Sequence, residues 1–516
     1  MAGCFRYTQL TSRKKATMPK DAPTVRRPVL RRRRLKVDDV NVVDKSMMKK
    51  AVGGTVVGNT MEWFDIGVYG YLAVTMGAVF LSEADASAQL IFSLGVFAAT
   101  FLARPLGGVV FGRLGDRLGR QKILAVTLIM MAASTFVIGL LPGYDQIGMW
   151  APVLLILMKL IQGFSTGGEY AGATTFVTEY ASDKRRGYLS SILDLGSYMG
   201  FALGAGVVSI MQLSLSEETM LDWGWRIPFL IAGPLGLIAV YFRLKIEESP
   251  AFQATLDAQE ENAASDNPQS ETAPPGTLAM IGLYWRPILV AMVLVAAANT
   301  VGYTLTSYMP SYLTDSMGYD PLHGTLLTIP VLVLMALCIP LCGKLSDRIG
   351  RRPVLLMGAG STIVLAVPAF LLIALGPVWS TLLGLILLAV PVTLYVSNLA
   401  SALPALFTTA SRYGAMGISY NFAVAIFGGT APLIMQGLIN LTDNDLMPAF
   451  WLMATSVVGA VAVYVMRESA NRPMPGSMPS VDTPAEAREL VATQDENPRL
   501  DVDSLPFDAV PAESGK

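Results

Sequence analysis

The chain alternates between long apolar stretches and short polar connections along most of its length. About twelve stretches are long enough to cross a membrane as helices, which takes roughly 20 mostly apolar residues. Their centres lie near residues 66, 100, 131, 165, 200, 234, 299, 332, 364, 393, 426 and 457. The polar segment from Lys245 to Pro275 divides them six and six, and its composition is typical of a flexible linker. The pattern predicts an all-α membrane protein with twelve transmembrane helices in two six-helix bundles.

The same pattern divides the chain into five parts. We expect a basic tail, a first six-helix bundle, a linker, a second six-helix bundle and a largely disordered acidic tail, over residues 1–50, 51–244, 245–284, 285–467 and 468–516. The charged tail is too long for a cleavable signal peptide, and no apolar region with a small-residue cleavage site follows it. Whether the chain starts at Met1 or Met18 stays open.

Composition agrees with the membrane class. The chain is 53% hydrophobic and only 15% charged, whereas about 25% charge is usual in soluble domains. Three cysteines provide no disulfide framework, and the single histidine, His323, offers little for a metal site or for histidine chemistry. We therefore predict no metal, no cofactor and no enzymatic activity.

Basic residues alternate between the connections and so predict an orientation. They collect in three connections and in the first fifty residues, whereas the intervening connections carry mainly Asp and Glu. Cytoplasmic loops of membrane proteins hold the excess of Lys and Arg. Both termini and the central linker are therefore predicted to face the cytoplasm, in a multi-pass protein of the cell inner membrane. The run from Arg31 to Lys36 also suits anionic lipid headgroups.

An internal repeat supports the division into halves. The segment GRLGDRLGR at residues 112–120 recurs as GKLSDRIGR at residues 343–351, each between the second and third helix of its half. Duplicated six-helix bundles with a cavity at the bilayer midplane are a plan used by secondary transporters. Small residues at Gly196, Gly200 and Gly204 also predict a close helix contact in the fifth helix.

The repeated loops resemble the signature loop of the major facilitator superfamily, in which it holds the outward-open state. The resemblance implies the major facilitator fold. It also implies gating roles at seven positions in or near these loops: Arg104, Asp116, Arg117, Arg120, Asp347, Arg348 and Arg351. Arg104 and Asp194 lie nearer the cytoplasmic ends of their helices, where a structural ion pair with the signature loop is the alternative to a role in the cavity.

Longer segments narrow the resemblance. GNTMEWFDIGVYG at 58–70, QGFSTGGEY at 162–170 and DWGWRIPF at 222–229 look like the metabolite:proton symporter branch. ESANRP at 468–473 is similar to the bacterial proline/glycine betaine (osmoprotectant) transporters of that branch. This implies import of zwitterionic osmolytes such as proline, glycine betaine or ectoine-like solutes with protons, stimulated by high osmolality. The tail after Val491 shows no sustained heptads, so coiled-coil tuning of activation is not expected.

Buried polar residues supply the candidate site. An ionisable residue in mid-bilayer costs on the order of 2.5–3.5 kcal/mol, so such residues are usually functional or paired. Candidate substrate-binding residues share helix faces with these charges or supply aromatic surfaces: Asn59, Glu62, Trp63, Tyr69, Lys159, Gln162, Glu169, Tyr170, Asn299 and Tyr303. The carboxyl groups that are candidates for proton coupling are Glu62, Asp65, Glu169 and Asp194, with Lys159 or Arg104 as the cation that helps to expel the proton.

Two other functions stay open at this point. A member of the same branch that carries a dicarboxylate or another organic acid would need more cationic groups in its cavity than Lys159 and Arg104. A membrane sensor that binds an osmolyte without moving it is the alternative from another class, although no kinase, cyclase or DNA-binding segment is evident. The oligomeric state also stays open.

Overall fold

A computed structural model describes residues 34–118, 120–244 and 277–505 of the chain. The helices of the first half are α1 (Lys45–Tyr71), α2 (Ala73–Phe80), α3 (Ala86–Leu118), α4 (Arg120–Leu140), α5 (Tyr144–Ile147), α6 (Trp150–Thr166), α7 (Glu169–Tyr180), α8 (Arg186–Ser214), α9 (Glu217–Thr219) and α10 (Arg226–Leu244). Those of the second half are α11 (Thr277–Tyr303), α12 (Met309–Asp315), α13 (Pro321–Ile349), α14 (Arg351–Ala374), α15 (Val378–Ala402), α16 (Thr409–Ala423), α17 (Ala431–Thr442) and α18 (Met447–Val465).

Several spans consist of two helical segments. Helices α6 and α7 form one span, α11 and α12 a second, and α16 and α17 a third. Within the described ranges, nine helices are long and apolar enough to cross a membrane, and the bent pair α1–α2 is a tenth. Shorter apolar helices over Ala125–Leu140 and Arg226–Ile238 occupy the places of the third and sixth predicted spans. These helices match the twelve apolar stretches of the sequence.

The second half contains two π-helical segments that the hydropathy pattern does not reveal. Thr304–Tyr308 joins α11 to α12, and Val424–Gly428 follows α16. A π-helical turn widens the helix locally and occurs frequently at functional sites. Both segments lie within membrane spans and contact the first half, Thr304–Tyr308 through α1 and Val424–Gly428 through α3.

Glycines let helices of the first half approach closely. A Cβ atom on Gly200 would lie 2.4 Å from the backbone oxygen of Thr60, and one on Gly163 would lie 1.7 Å from that of Thr100. Such distances leave no room for a side chain, so α8 packs directly on the backbone of α1. The helix contact predicted for the glycines of the fifth helix is confirmed.

The chain ends outside the bundle contain regular structure. Strand β1 (Asn41–Val42) pairs in parallel with β2 (Ser480–Val481), and helix α19 (Pro484–Ala492) follows. A small apolar cluster joins these elements through Leu35, Val40, Val481, Ala487 and Leu500. The composition predicts a largely disordered tail after residue 468. It does not predict that the tail pairs with residues more than 400 positions earlier in the chain. Residues 506–516 lie outside the described ranges.

One face of the bundle carries both described chain ends, Leu35–Asp44 and Met466–Leu505, and we refer to it as the terminal face. Helix α8 begins at this face, at Arg186, and α13 ends at it. The two halves pack against each other mainly through α8 with α13, and also through α8 with α15 and α3 with α16.

We expect Gly200→Ala to destabilise the protein and Gly206→Ala in the same helix not to. The new methyl group at position 200 would collide with the backbone of α1, and overpacking of this kind costs about 1–3 kcal/mol. A Cβ on Gly206 meets nothing within 4 Å. Thermal unfolding of the purified protein in detergent measures both variants, and equal melting temperatures would contradict the packing described here.

Candidate functional site

A cavity lies between the two halves. Helices α1, α7 and α8 line it from the first half, and α11, α15 and α16 line it from the second. Its lining consists of Trp63, Tyr170, Asp194, Ser197, Tyr198, Phe201, Ala298, Asn299, Gly302, Tyr303, Thr306, Val396, Leu399 and Tyr420. The sequence predicted five of these residues, which are Trp63, Tyr170, Asp194, Asn299 and Tyr303.

Aromatic rings from both halves form much of the cavity wall. The ring centroid of Trp63 lies 5.3 Å from that of Phe201 and 6.1 Å from that of Tyr303. Tyr170 and Tyr420 stack across the two halves, with centroids 4.1 Å apart and an interplanar angle of 15°. The faces of such rings attract cations, quaternary ammonium groups in particular.

Asp194 brings a carboxyl group into this aromatic cavity. One of its oxygens, Oδ1, lies 3.4 Å from the hydroxyl of Tyr170, and Oδ2 has no hydrogen-bond partner among the described residues. No Lys or Arg in that part of the chain forms an ion pair with it, although the residue is 4% exposed. A buried carboxylate without a basic partner is costly, so this group favours a proton or a cationic ligand.

The hydroxyl of Tyr303 is a second buried polar group of the cavity without a protein partner. It makes no hydrogen bond to any residue that the structure describes. A phenol hydroxyl donates readily to an anionic oxygen. The cavity therefore presents an acceptor, on Asp194, and a donor, on Tyr303, between aromatic faces.

Asn59 positions the cavity wall and does not line it. Its Nδ2 donates to the backbone oxygen of Leu193 at 2.8 Å and to Oγ of Ser197 at 2.6 Å. Trp63 Nε1 donates to its Oδ1 at 3.1 Å. These bonds tie α1 to α8 and orient the indole of Trp63 towards the cavity.

Glu62 and Arg104 form an ion pair inside the first half. Arg104 Nη2 lies 3.3 Å from Glu62 Oε1, and both side chains are buried. The guanidinium carbon also lies 4.6 Å from the ring centroid of Phe101. The sequence leaves an ion pair with the signature loop as one alternative for Arg104, and in the described part of the chain its guanidinium pairs with Glu62. Neither residue lines the cavity.

Asp65 belongs to a separate chain of hydrogen bonds on the other side of α1. Thr135 Oγ1 donates to Asp65 Oδ2 at 3.1 Å, and Gln162 Nε2 donates to Thr135 Oγ1 at 2.8 Å. Lys159 Nζ donates to Gln162 Oε1 at 2.8 Å and lies 4.0 Å from the ring centroid of Tyr69. We refer to these five residues as the Asp65 network, and none of them lines the cavity.

The remaining candidates lie elsewhere. Glu169 is buried at the start of α7, outside the cavity lining. Asp347 accepts hydrogen bonds from the backbone N–H groups of Gly187 and Tyr188, both at 2.8 Å, and pairs with Arg351 at 2.7 Å. It thus joins the halves at the start of α8, where the helix dipole favours a carboxylate. Arg348 is exposed nearby, and the side chains of Asp116, Arg117 and Arg120 lie outside the described part of the chain.

Further contacts join the halves between the terminal face and the level of the cavity. Arg412 Nη1 lies 3.0 Å from Glu179 Oε1, and the hydroxyl of Tyr413 donates to the backbone oxygen of Gly168 at 3.0 Å. Asn421 Nδ2 donates to the backbone oxygen of Gly167 at 2.5 Å. The halves are therefore in contact below the cavity on this side.

Sequence reasoning missed several residues of the cavity wall. Tyr198 and Phe201 stand four and seven positions after Asp194, on the same face of α8, so helical spacing from the buried acid is a signal that identifies them. Tyr420 carries no comparable signal, because it reaches the cavity only through the packing of α16 against the first half.

The comparisons with known proteins agree on a transporter. A model of the sugar (and other) transporter family matches residues 52–475. The chain is 50% identical over 479 residues to the ectoine/proline transporter ProP of Corynebacterium glutamicum, covering 92% of this chain and 95% of that protein. It is 44% identical over 481 residues to the proline/betaine transporter of Escherichia coli K12, with coverages of 92% and 95%.

A solved structure supports the fold. The proton:xylose symporter XylE, of the major facilitator superfamily, matches with a TM-score of 0.68 at 18% identity, covering 83% of this chain and 98% of that chain. The predicted fold class, two bundles of the major facilitator type, is confirmed. The resemblance to osmoprotectant transporters stated from the sequence motifs is confirmed as well.

We expect Arg104→Met to destabilise the protein strongly and Glu62→Gln to restore part of that loss in the double variant. The single change leaves the carboxylate of Glu62 buried without its cation, which typically costs about 3–5 kcal/mol. Thermal unfolding in detergent provides the measurement. A double variant no more stable than Arg104→Met would contradict a mutual pairing of the two side chains.

Proposed function

The chain belongs to the sugar (and other) transporter family of the major facilitator superfamily, and from this premise we propose that it imports zwitterionic osmolytes together with protons. It is a multi-pass membrane transporter and not an enzyme. The proposed substrates are of the proline, glycine betaine and ectoine type, which the names of the two relatives specify for those proteins. We also propose stimulation by high osmolality, and a location in the inner membrane with both termini cytoplasmic and basic segments near anionic lipids.

The observation that carries this proposal is the presence of both an acceptor, Asp194 Oδ2, and a donor, the hydroxyl of Tyr303, in one aromatic cavity. A zwitterion needs an acceptor or aromatic faces for its ammonium and a donor for its carboxylate. Asp194 Oδ2 and the rings of Trp63 and Tyr198 suit the ammonium, whereas the hydroxyl of Tyr303 suits the carboxylate.

The same cavity speaks against the organic-acid alternative. A dicarboxylate needs cationic partners, and neither Lys nor Arg occurs among the residues that line the cavity. Lys159 is committed to Gln162 and Arg104 to Glu62, both outside the lining. The sensor alternative has no support either, since the relatives are named as transporters.

We assign proton coupling to Asp65 and not to Asp194. A symporter carries proton and substrate together, so the proton and the substrate ammonium cannot occupy one carboxylate at the same time. Asp65 lies outside the cavity and so stays available when the cavity is filled. Lys159, reached through Gln162 and Thr135, favours the ionised carboxylate and thereby assists release of the proton.

Helix α1 provides the connection between proton and substrate. Trp63 faces the cavity, and Asp65, two residues further, faces α4 and α6. A change in the charge of Asp65 alters its hydrogen bond to Thr135 of α4 and, through Thr135, the contact with Gln162 of α6. Because a helix moves as a rigid element, such a change also shifts the indole of Trp63.

Uptake of labelled glycine betaine and proline tests the proposed function. Uptake-deficient cells expressing the chain are compared at low and high osmolality, with and without a protonophore. We expect protonophore-sensitive uptake that rises with osmolality. Transport of an organic acid, without uptake of either solute, would overturn the substrate assignment.

We expect Tyr303→Phe to raise the KM for glycine betaine about ten- to hundredfold, because the loss of a hydrogen bond to a charged group costs about 1.5–3 kcal/mol. Tyr308→Phe is the matched control, since its hydroxyl donates to Gln436 and lies outside the cavity lining. Initial uptake rates over a range of substrate concentrations provide both KM values. Equal KM values for the two variants would contradict a contact between Tyr303 and the substrate.

We expect Asp65→Asn to abolish accumulation driven by the proton gradient but to preserve exchange of labelled for unlabelled substrate. The amide cannot take up the proton, while the cavity stays intact. Asp194→Asn is expected to lose both activities, because it weakens substrate binding itself. Reconstituted vesicles with an imposed pH gradient measure accumulation and exchange separately, and loss of exchange in Asp65→Asn would contradict the separation of the two sites.

A further inference from the structure

The tail of the chain crosses from the second half to the first on the terminal face. It leaves the second half at the end of α18, Val465, and its strand β2 pairs with β1, which precedes α1 of the first half. The register joins Asn41 to Ser480 and Val42 to Val481. We refer to residues 35–44 and 466–505 together as the terminal clasp.

Polar contacts attach the clasp to the loop between α7 and α8 of the first half. The backbone N–H of Asp183 donates to the oxygen of Ser480 at 2.9 Å, and the N–H of Ser480 donates to Asp183 Oδ2 at 3.2 Å. Arg186 Nη1 donates to the backbone oxygen of Arg472 at 3.0 Å. Lys184 Nζ lies 4.0 Å from Glu486 Oε1. The apolar cluster around Val481 and Ala487 lies within the clasp and joins its two chain segments to each other.

A carboxylate anchors the start of the clasp to the second half. Glu468 accepts hydrogen bonds from the backbone N–H groups of Arg351 and Arg352, at 2.9 and 3.0 Å, where α14 begins. Partial burial raises the pKa of this carboxyl, but these bonds and those from Ser469 and Ala470 outweigh it, so the net pKa lies below its ordinary value. The group is therefore charged at neutral pH and binds the helix start firmly.

Side chains of the second half bind the middle of the clasp. Asn471 Nδ2 donates to the backbone oxygen of Asp347 at 2.8 Å. Arg412 Nη2 donates to the oxygen of Pro475 at 2.9 Å, and Thr409 Oγ1 donates to that of Gly476 at 2.6 Å. The crossing segment is thus bound on both sides of the contact between the halves.

On the terminal face the clasp holds the halves together through its contacts with each half, and not through the length of the segment that connects them. The crossing segment of residues 466–479 would reach roughly 45 Å if fully extended, far more than a small opening requires. A slack tether of that length would not resist separation. The halves can part on the terminal face only if one of the two sets of contacts breaks.

We propose that the terminal clasp holds the terminal face closed and that its release is a step of the transport cycle. The clasp joins the chain ends into one unit that docks on both halves, so its stability adds to that of the closed state. Weakening it shifts the population towards the state that is open on this face. This inference needs only a transporter whose halves part there and does not depend on the substrates or protons proposed above.

The test compares two equal substitutions in helix α19. Ala487 is fully buried in the apolar cluster, whereas Ala485 is exposed on the same helix. Ala487→Asp places a charge in the cluster, and Ala485→Asp is the matched control. The reporter is Ser191→Cys in a background with the native cysteines changed to Ser. Ser191 is buried at the contact between the halves, where its Oγ would lie 2.3 Å from a Cβ on Gly343.

Labelling of this cysteine by a maleimide is measured on purified protein in lipid nanodiscs, where both faces are accessible. We expect Ala487→Asp to accelerate labelling at least about fivefold and Ala485→Asp to leave it unchanged, because labelling follows the open population. A truncation after Pro479 removes β2 and α19 without adding a charge, and we expect it to accelerate labelling as well. Faster labelling in both variants therefore excludes a local effect of the new charge. Equal labelling rates in the truncated and full-length chains would overturn the proposal.

Discussion

The cost of burying charge in a bundle surrounded by lipid governs the arrangement of the first half. The carboxylate of Glu62 is compensated by Arg104 at 3.3 Å, and Lys159 and Asp65 are compensated through Gln162 and Thr135. Both arrangements lie outside the cavity. Asp194 lies in the cavity without a basic partner among the described residues. Its uncompensated carboxylate therefore favours the binding of a cationic group of a ligand.

Helix α1 carries a member of each of these arrangements. Glu62, Trp63 and Asp65 follow one another within four residues, and helical geometry turns them towards α3, the cavity and α4 respectively. The close packing of α8 on α1 at Gly200, with the hydrogen bonds of Asn59, holds this helix in register. A single element thereby connects the proposed proton site to the proposed substrate site.

The terminal face depends on a different principle, which is the satisfaction of backbone groups at helix starts. Asp347 binds the first N–H groups of α8 from the other half, and Glu468 binds those of α14. The bonds of Asp347 cross between the halves, and they can be broken and remade because the same groups reach water when the halves part. Contacts between apolar helix faces in lipid lack that alternative, so the polar contacts are the ones suited to a reversible closure.

The sequence by itself determined the number of spans, the division into halves, the repeated loops and the family, because hydropathy and local motifs depend on residues that are close together in the chain. It also identified the buried charged residues, since any charge in an apolar stretch stands out. It did not determine which charges neutralise one another: Arg104 pairs with Glu62, 42 positions away, and Lys159 reaches Asp65 through two side chains. Nor did it reveal Tyr420 in the cavity or the pairing of Val42 with Val481. Those contacts exist only where helices from both halves, or both chain ends, pack together, and tertiary structure alone decides which distant residues meet.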